Sequence, residues 1–234
     1  MSNSKSLYLD GGYLDRNPTW HAEDSAWKAA QIERMLRRHQ LAPRTICEVG
    51  CGAGEILRSL ADTLGTGVEF SGYEISPQAF EICSRKVQPN LRFYREDLLT
   101  KADRLFDLVM AIDVFEHVED YLGFLRKLRT KGEYKIFHVP LELSVQTVLR
   151  ASPLMRGRAL VGHLHYFTKE TALASLHDTG YEVVDWVYTR GAIERPGGGW
   201  KPALLKAPRR MLFAIHQDLT VRMLGGFSML VLAR

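Results

Sequence analysis

Cysteine is scarce in this chain. Cys47, Cys51 and Cys83 are the only three in 234 residues, too few for a disulfide framework. The Cys47/Cys51 pair has no second pair to complete a zinc signature, so these side chains read as small packing residues. No apolar run approaches the roughly 20 residues that span a bilayer. The opening MSNSKSLYLDGG lacks the basic-then-apolar pattern of a secretory leader, so the cytoplasm is the expected location. Internal repeats and low-complexity tracts are missing as well. Strong charge bias is lacking: 31 Lys and Arg against 27 Asp and Glu give +4. Positive charges spread along the sequence permit an anionic partner without requiring one. What remains, 46% hydrophobic and 25% charged, is the composition of an ordinary globular protein. Its length suits one α/β domain with extra segments or two small domains.

The apolar pattern alternates between strand and helix. Residues 24–40 place acids early and bases late, which suits a helix dipole, and Pro43 ends the element. Thr45–Val49 is a short apolar strand. Glu55–Leu64 follows as a helix whose Ile56, Leu57, Leu60 and Leu64 recur at helical spacing. Residues 68–75, 91–94, 106–112 and 134–139 read as further strands, separated by helices opening at Pro77 and near Glu119. This alternation predicts a parallel sheet covered by helices on both faces. Beyond it come a helix over residues 169–178 ending at Gly180, a strand over 181–189 and a final strand over 228–232. The expected organisation is an N-terminal helical cap over residues 1–40 and a main domain over 41–234. An insert over residues 191–226 separates the last two strands.

The first strand runs into Glu48-Val49-Gly50-Cys51-Gly52-Ala53-Gly54-Glu55. Glycines between a strand and a helix N-terminus let backbone approach a ligand closely. A dinucleotide fingerprint wants a third glycine where Glu55 stands. A carboxylate there would also repel a pyrophosphate.

These residues resemble the first motif, E/D-x-G-x-G-x-G, of class I S-adenosylmethionine-dependent methyltransferases, and the likeness extends over about residues 40–190. The resemblance implies a Rossmann-like, seven-stranded, mostly parallel sheet with its last strand antiparallel. It also implies S-adenosyl-L-methionine as cofactor, bound by Glu48, Gly50, Cys51, Gly52, Glu74, Ile75, Asp97, Leu98, Ile112 and Asp113. Among these, Glu74 would accept both ribose hydroxyls, for which one carboxylate has the acceptor oxygens. Asp97 would read the adenine amine, and the segment Ile112-Asp113-Val114-Phe115-Glu116-His117-Val118 would line the cofactor. Each acid has a plainer alternative, because a carboxylate after a strand can equally cap the next helix. A site bordered by Glu48, Glu55, Glu74 and Asp97 suits a sulfonium cation.

The methyl acceptor is less legible. The chain has no Asn/Asp-Pro-Pro-aromatic run after the fourth strand and no Pro-Cys dipeptide, which argues against the families that methylate base amines and pyrimidine C5. A hydroxyl acceptor keeps its proton at neutral pH and calls for a base or a metal. His117 and His165 are the catalytic candidates, with His138 and His163 nearby in the expected fold; capping helices is the alternative role for each. Asp113, Glu116 and His117, spaced i, i+3, i+4, together with His165 are similar to the metal quartet of small-RNA 2′-O-methyltransferases. Asp113 is one methylene short of that pattern, and the expected assignment carries no metal ligand. The expected acceptor is a small molecule, a glycan or a lipid-linked precursor, methylated at oxygen. Nucleic acid is disfavoured and no integral membrane association is expected. An RNA 2′-O-methyltransferase using a divalent metal and a non-catalytic cofactor-binding protein stay open as alternatives.

Two segments are candidates for covering the site. Around Asn17-Pro18-Thr19-Trp20-His21 and Trp27-Lys28, aromatic and polar groups precede the main fold and would close over the cofactor. The insert mixes Lys201, Lys206, Arg209, Arg210 and Arg222 with Leu204, Leu205, Met211, Leu212, Phe213 and Ile215. A helix packed on its own domain is the simpler expectation there. A contact with an anionic or lipid-like substrate, or with a membrane surface, is the alternative.

Overall fold

A computed structural model describes Tyr8 and residues 10–20, 22–194 and 200–234. His21 and Gly197–Gly199 lie outside the described residues, as do the side chains of Lys201, Leu204 and Leu205. The alternating pattern folds as a seven-stranded sheet. In chain order its strands are β1 (Thr45–Val49), β2 (Glu69–Tyr73), β3 (Leu91–Tyr94), β4 (Phe106–Ile112), β5 (Gly132–Leu141), β6 (Val183–Thr189) and β7 (Phe227–Ala233). Their spatial order is β3-β2-β1-β4-β5-β7-β6. β1 to β5 pair in parallel, with Ile46 beside Leu108 and Met110 beside Ile136. β7 runs antiparallel to both β5 and β6. The expected Rossmann-like, mostly parallel sheet with an antiparallel last strand is what forms.

Period-two alternation divides the core between the two faces of the sheet. Ile46, Leu108, Met110 and Ile136 point to one side, and Cys47, Val109, Ala111 and Phe137 to the other; all are fully buried. The first face is covered by helices α2 (Ser25–Arg38) and α3 (Glu55–Leu64), preceded by the short α1 (Gly12–Arg16). α2 contributes Ala29, Ile32, Met35 and Leu36 to that core, so it is built into the sheet packing. α4 (Pro77–Ser84) starts at Ser76, whose hydroxyl accepts from the Ala79 N–H, with Pro77 in the first turn. α5 (Tyr121–Arg129) lies between β4 and β5. All three cysteines are buried free thiols. A Cβ on Gly72 would sit 2.8 Å from the Cys51 sulfur, which shows how tightly that thiol is packed.

Two helices follow β5 that the apolar pattern does not announce: α6 (Val145–Arg150) and α7 (Ser152–Leu160). Neither buries a side chain fully, so no helical stripe of core residues marks them. α8 (Lys169–Asp178) precedes β6. The insert folds as α9 (Gly191–Glu194), α10 (Trp200–Ile215) and α11 (Gln217–Leu224). It docks on its own domain through Phe213 and Val221, which join the core; the Phe213 ring stacks on Phe227.

Candidate active site

The carboxyl ends of β1, β2, β4 and β5 open into a cleft of about 810 Å³, the place where ligands bind in open α/β sheets. At one end lies the glycine loop. Gly50, Gly52 and Gly54 all have positive φ, at 68°, 53° and 76°, a region closed to most side chains. A Cβ on Gly54 would strike the Phe93 ring at 2.7 Å, and one on Gly52 would strike the Trp20 ring at 2.6 Å. The third glycine therefore serves packing under α3. The second lies directly beneath an aromatic side chain of the N-terminal segment. Tyr8 stacks on Tyr13, which meets Trp20 at a tilt of 54°, and all three line the cleft, which puts these aromatic rings over the loop.

The acids expected here occupy different environments. Glu74 is buried at the end of β2, where its two carboxylate oxygens accept from the Gly52 and Ser76 N–H groups, each at 2.8 Å. Burial raises its pKa, and those two hydrogen bonds pull the other way. Each oxygen keeps further acceptor capacity. Glu48 is buried with Oε2 lacking a hydrogen bond among the described residues, and burial pushes its pKa well up despite the nearby Lys28. An orphaned buried carboxylate beside the loop fits a cationic ligand. Asp97 is exposed and caps the turn at Leu98–Thr100 through the Leu99 N–H at 2.9 Å, while still lining the cleft. Cys51, Ile75, Leu98 and Ile112 also line it. Glu55 is paired with Lys86 at 3.0 Å.

Asp113 departs from the helical-face expectation. It has φ 54°, and the following residues 115–117 form a 3₁₀ turn, so the left-handed residue rotates its side chain away from those of Glu116 and His117. Its carboxylate meets Lys28 Nζ at 2.7 Å and His138 Nδ1 at 2.5 Å, and His138 Nε2 meets the Thr189 hydroxyl at 2.8 Å. Burial opposes ionisation of Asp113, but the facing His138 and Lys28 outweigh it and hold the carboxyl well below its usual range. This chain ties α2 to β4, β5 and β6 at the floor of the cleft.

The far end is assembled from distant segments. Tyr8 donates its hydroxyl hydrogen to the Val161 carbonyl at 2.7 Å, so at its 2.9 Å contact with His117 Nδ1 the phenol oxygen accepts. That fixes hydrogen on Nδ1 and makes Nε2 the acceptor nitrogen. His163 Nδ1 lies 2.6 Å from Glu142, which fixes the same tautomer there. The two imidazole rings are 4.7 Å apart. Beside them lies Glu116, fully buried, with Oε1 3.9 Å from His117 Nε2 and neither oxygen hydrogen-bonded among the described residues. Glu116, His117 and His163 bring three ligand atoms within 4.8 Å of one another, a set capable of holding a divalent ion. His165 is turned away. Its Nε2 faces the carbonyl oxygens of Val118 and Glu119 and its ring lies against Tyr121, so His163 is the partner brought to His117. Of these groups His163 is signalled by the histidine-rich stretch His163-Leu164-His165, whereas Tyr8 and Glu142 carry no sequence signal.

Comparisons with known proteins bear on the family and the fold. A profile of a family described as "Methyltransferase domain" matches residues 20–185. A ubiquinone biosynthesis O-methyltransferase of Methylocella silvestris is 31% identical over 101 residues, covering 39% of this chain and 38% of that protein. Its namesake from Xanthomonas euvesicatoria is 26% identical over 136 residues, covering 53% of this chain and 56% of that protein. The matches thus span little more than half, or less, of those relatives' lengths. Magnesium protoporphyrin IX methyltransferase of Synechocystis PCC 6803, solved with bound S-adenosylmethionine, superposes with a TM-score of 0.62. That match has 14% identity and covers 100% of this chain and 97% of the other.

Proposed function

The chain belongs to the methyltransferase domain family, and we propose that it carries a methyl group from S-adenosylmethionine to a hydroxyl oxygen of a small-molecule, glycan or lipid-precursor acceptor. The cofactor supplies an electrophilic methyl carbon on a positively charged sulfur leaving group. Glu74 receives the ribose hydroxyls, Asp97 and Leu98 border the adenine, and the bare backbone of Gly50–Gly52 takes the amino-acid end. Glu48, whose Oε2 has no hydrogen bond among the described residues, would offer that end a hydrogen-bonding partner. Residues 8–28 act as a cap: Trp20 lies on Gly52 and Lys28 is anchored by Asp113. Alignment of acceptor oxygen, methyl and sulfur then supplies much of the rate enhancement.

The observation that carries the choice of oxygen is the fixed tautomer of His117. With hydrogen held on Nδ1 by Tyr8, Nε2 would be the nitrogen that takes the acceptor's hydroxyl proton as that oxygen is methylated. A second reading is favoured by Glu116: a buried carboxylate with no hydrogen bond among the described residues, beside two imidazoles, also suits a divalent cation that would acidify the hydroxyl in place of a base.

A screen with labelled methyl donor against hydroxylated metabolite, glycan and lipid-extract pools tests the proposal. Oxygen-methylated product is expected, and His117→Ala should lower turnover by about 10²- to 10⁴-fold without weakening cofactor binding. Product methylated only at nitrogen or carbon, or full turnover by His117→Ala, would sink it. Loss of activity on EDTA dialysis, restored by Mn²⁺ or Zn²⁺, would select the metal-assisted version.

A further inference from the structure

The net charge of +4 conceals a strong asymmetry. Residues 145–160 and 200–224 together carry eight Lys and Arg against the single acid Asp218, a net +7, so the remainder of the chain sums to −3. Basic residues that look scattered along the sequence are gathered by the fold, because these stretches form α6, α7, α10 and α11. α10 packs on α11, α11 on α6, and α6 on α7. Among the described residues, Arg150, Arg156, Arg158 and Arg210 on these helices are exposed and have no carboxylate partner. Asp218, the one acid, is already held by Lys169 and Tyr188.

The same helices expose unusual apolar surface. Of the fourteen large apolar side chains left exposed on the described part of the molecule, ten lie on these four helices. Leu149 is 81% exposed, Ile215 78% and Met211 67%. Scattered exposed leucines are ordinary; a concentration of them on adjoining helices that are also basic marks an interaction surface. α10 shows the division of labour, since Phe213 points into the core while Met211, Leu212 and Ile215 point outward. The inner sides of α6 and α7 supply Thr147, Pro153 and Leu154 to the cleft wall.

We propose that α6, α7, α10 and α11 form a docking surface for an anionic lipid bilayer. Apolar side chains would enter the headgroup boundary, and the arginines would meet phosphate. Basic helices with an exposed apolar face bind membranes in this way, at about 1 kcal/mol for each basic residue near the surface. No described helix is long and apolar enough to cross a membrane, so the contact is superficial. Two alternative occupants fit less well. A second copy of this chain would set one basic face against another. Single-stranded RNA would want aromatic platforms for its bases, and among the described residues the exposed apolar side chains here are aliphatic or Met. Because two of these helices, α6 and α7, wall the cleft, the surface also deepens the reading of a lipid-linked acceptor, which would enter from the bilayer. That corollary rests on the proposed oxygen methylation; the docking itself does not.

Flotation of the full chain with vesicles tests the docking without any acceptor. Vesicles of phosphatidylcholine alone are compared with an equal mixture of phosphatidylcholine and phosphatidylglycerol, at low and high salt. The expected result is retention on the mixed vesicles only, weakened by salt. The triple variant Arg150→Glu, Arg156→Glu, Arg158→Glu should lose at least about a hundredfold in partitioning, and Leu149→Asp with Ile215→Asp should lose retention as well. None of these residues lines the cleft, so unchanged melting temperature and cofactor affinity show that the variants fold. Four results would overturn the proposal: no retention by wild type, equal retention on phosphatidylcholine, retention unaffected by both variants, or a polyuridine oligonucleotide bound in preference to the mixed vesicles. Retention with no oxygen-methylated product would leave the docking standing and refute the acceptor reading alone.

Discussion

The two ends of the cleft are built in different ways. The glycine-loop end draws nearly all its groups from residues 48–113, at successive strand ends of one parallel sheet. The far end joins Tyr8, Glu116, His117, Glu142 and His163, whose hydrogen bonds close loops of up to 153 residues. The first end is a backbone device, with positive-φ glycines and a carboxylate clamped by two N–H groups. The second is a side-chain device, in which a phenol and a carboxylate each fix an imidazole tautomer beside a buried acid that has no hydrogen bond among the described residues. The contrast teaches that cofactor binding can follow from local chain geometry, whereas acceptor chemistry depends on tertiary assembly.

Three substitutions sharpen that comparison, from the largest effect to the smallest. Lys28→Met removes the cation that joins the N-terminal segment to Asp113 at the floor between the two ends. It should cost about 2–4 kcal/mol of stability at neutral pH, as expected when one partner of a largely buried pair is removed. Because Asp113's pKa is depressed in the folded protein, its contribution is fully present above about pH 4 and fades as pH falls toward its lowered value. Denaturant titrations should therefore show the gap between wild type and variant narrowing below pH 4; a gap that is constant or widens in acid would refute the role given to this pair.

Gly52→Val acts on the loop alone. A side chain at φ 53° that also meets the Trp20 ring should weaken cofactor binding by about 10- to 100-fold, measurable by equilibrium dialysis, while the His117 and His163 end stays as it is. Wild-type affinity would show that neither the loop conformation nor the Trp20 contact matters. Asp97→Ala should have the mildest effect, about 3- to 10-fold in cofactor affinity, the worth of one hydrogen bond. No change would leave Asp97 as nothing more than the cap of its short turn.

The same contrast decides what was legible. Strands β1, β3 and β4 and helices α3 and α8 can be read to the residue, because apolar periodicity and Pro or Gly punctuation agree there. Glu74 is readable because its position is defined by the end of β2. α6 and α7 escape because they bury no apolar stripe. His163 is passed over for His165 because an extended chain would turn residues i and i+2 to the same side, and only the irregular path of this loop says which one faces Glu142. The shared face expected for Asp113, Glu116 and His117 assumes α-helical dihedrals; one left-handed residue and a 3₁₀ turn break that assumption. Tyr8 acts on a histidine 109 residues away, a pairing no sequence period can announce.

Titration calorimetry with S-adenosylmethionine on wild type and Glu74→Ala reaches the central claim most directly. One molecule should bind per wild-type chain, and a folded Glu74→Ala chain should bind about a hundredfold more weakly. Absence of heat with wild type, or equal affinities for the two chains, would contradict the assignment of this cleft.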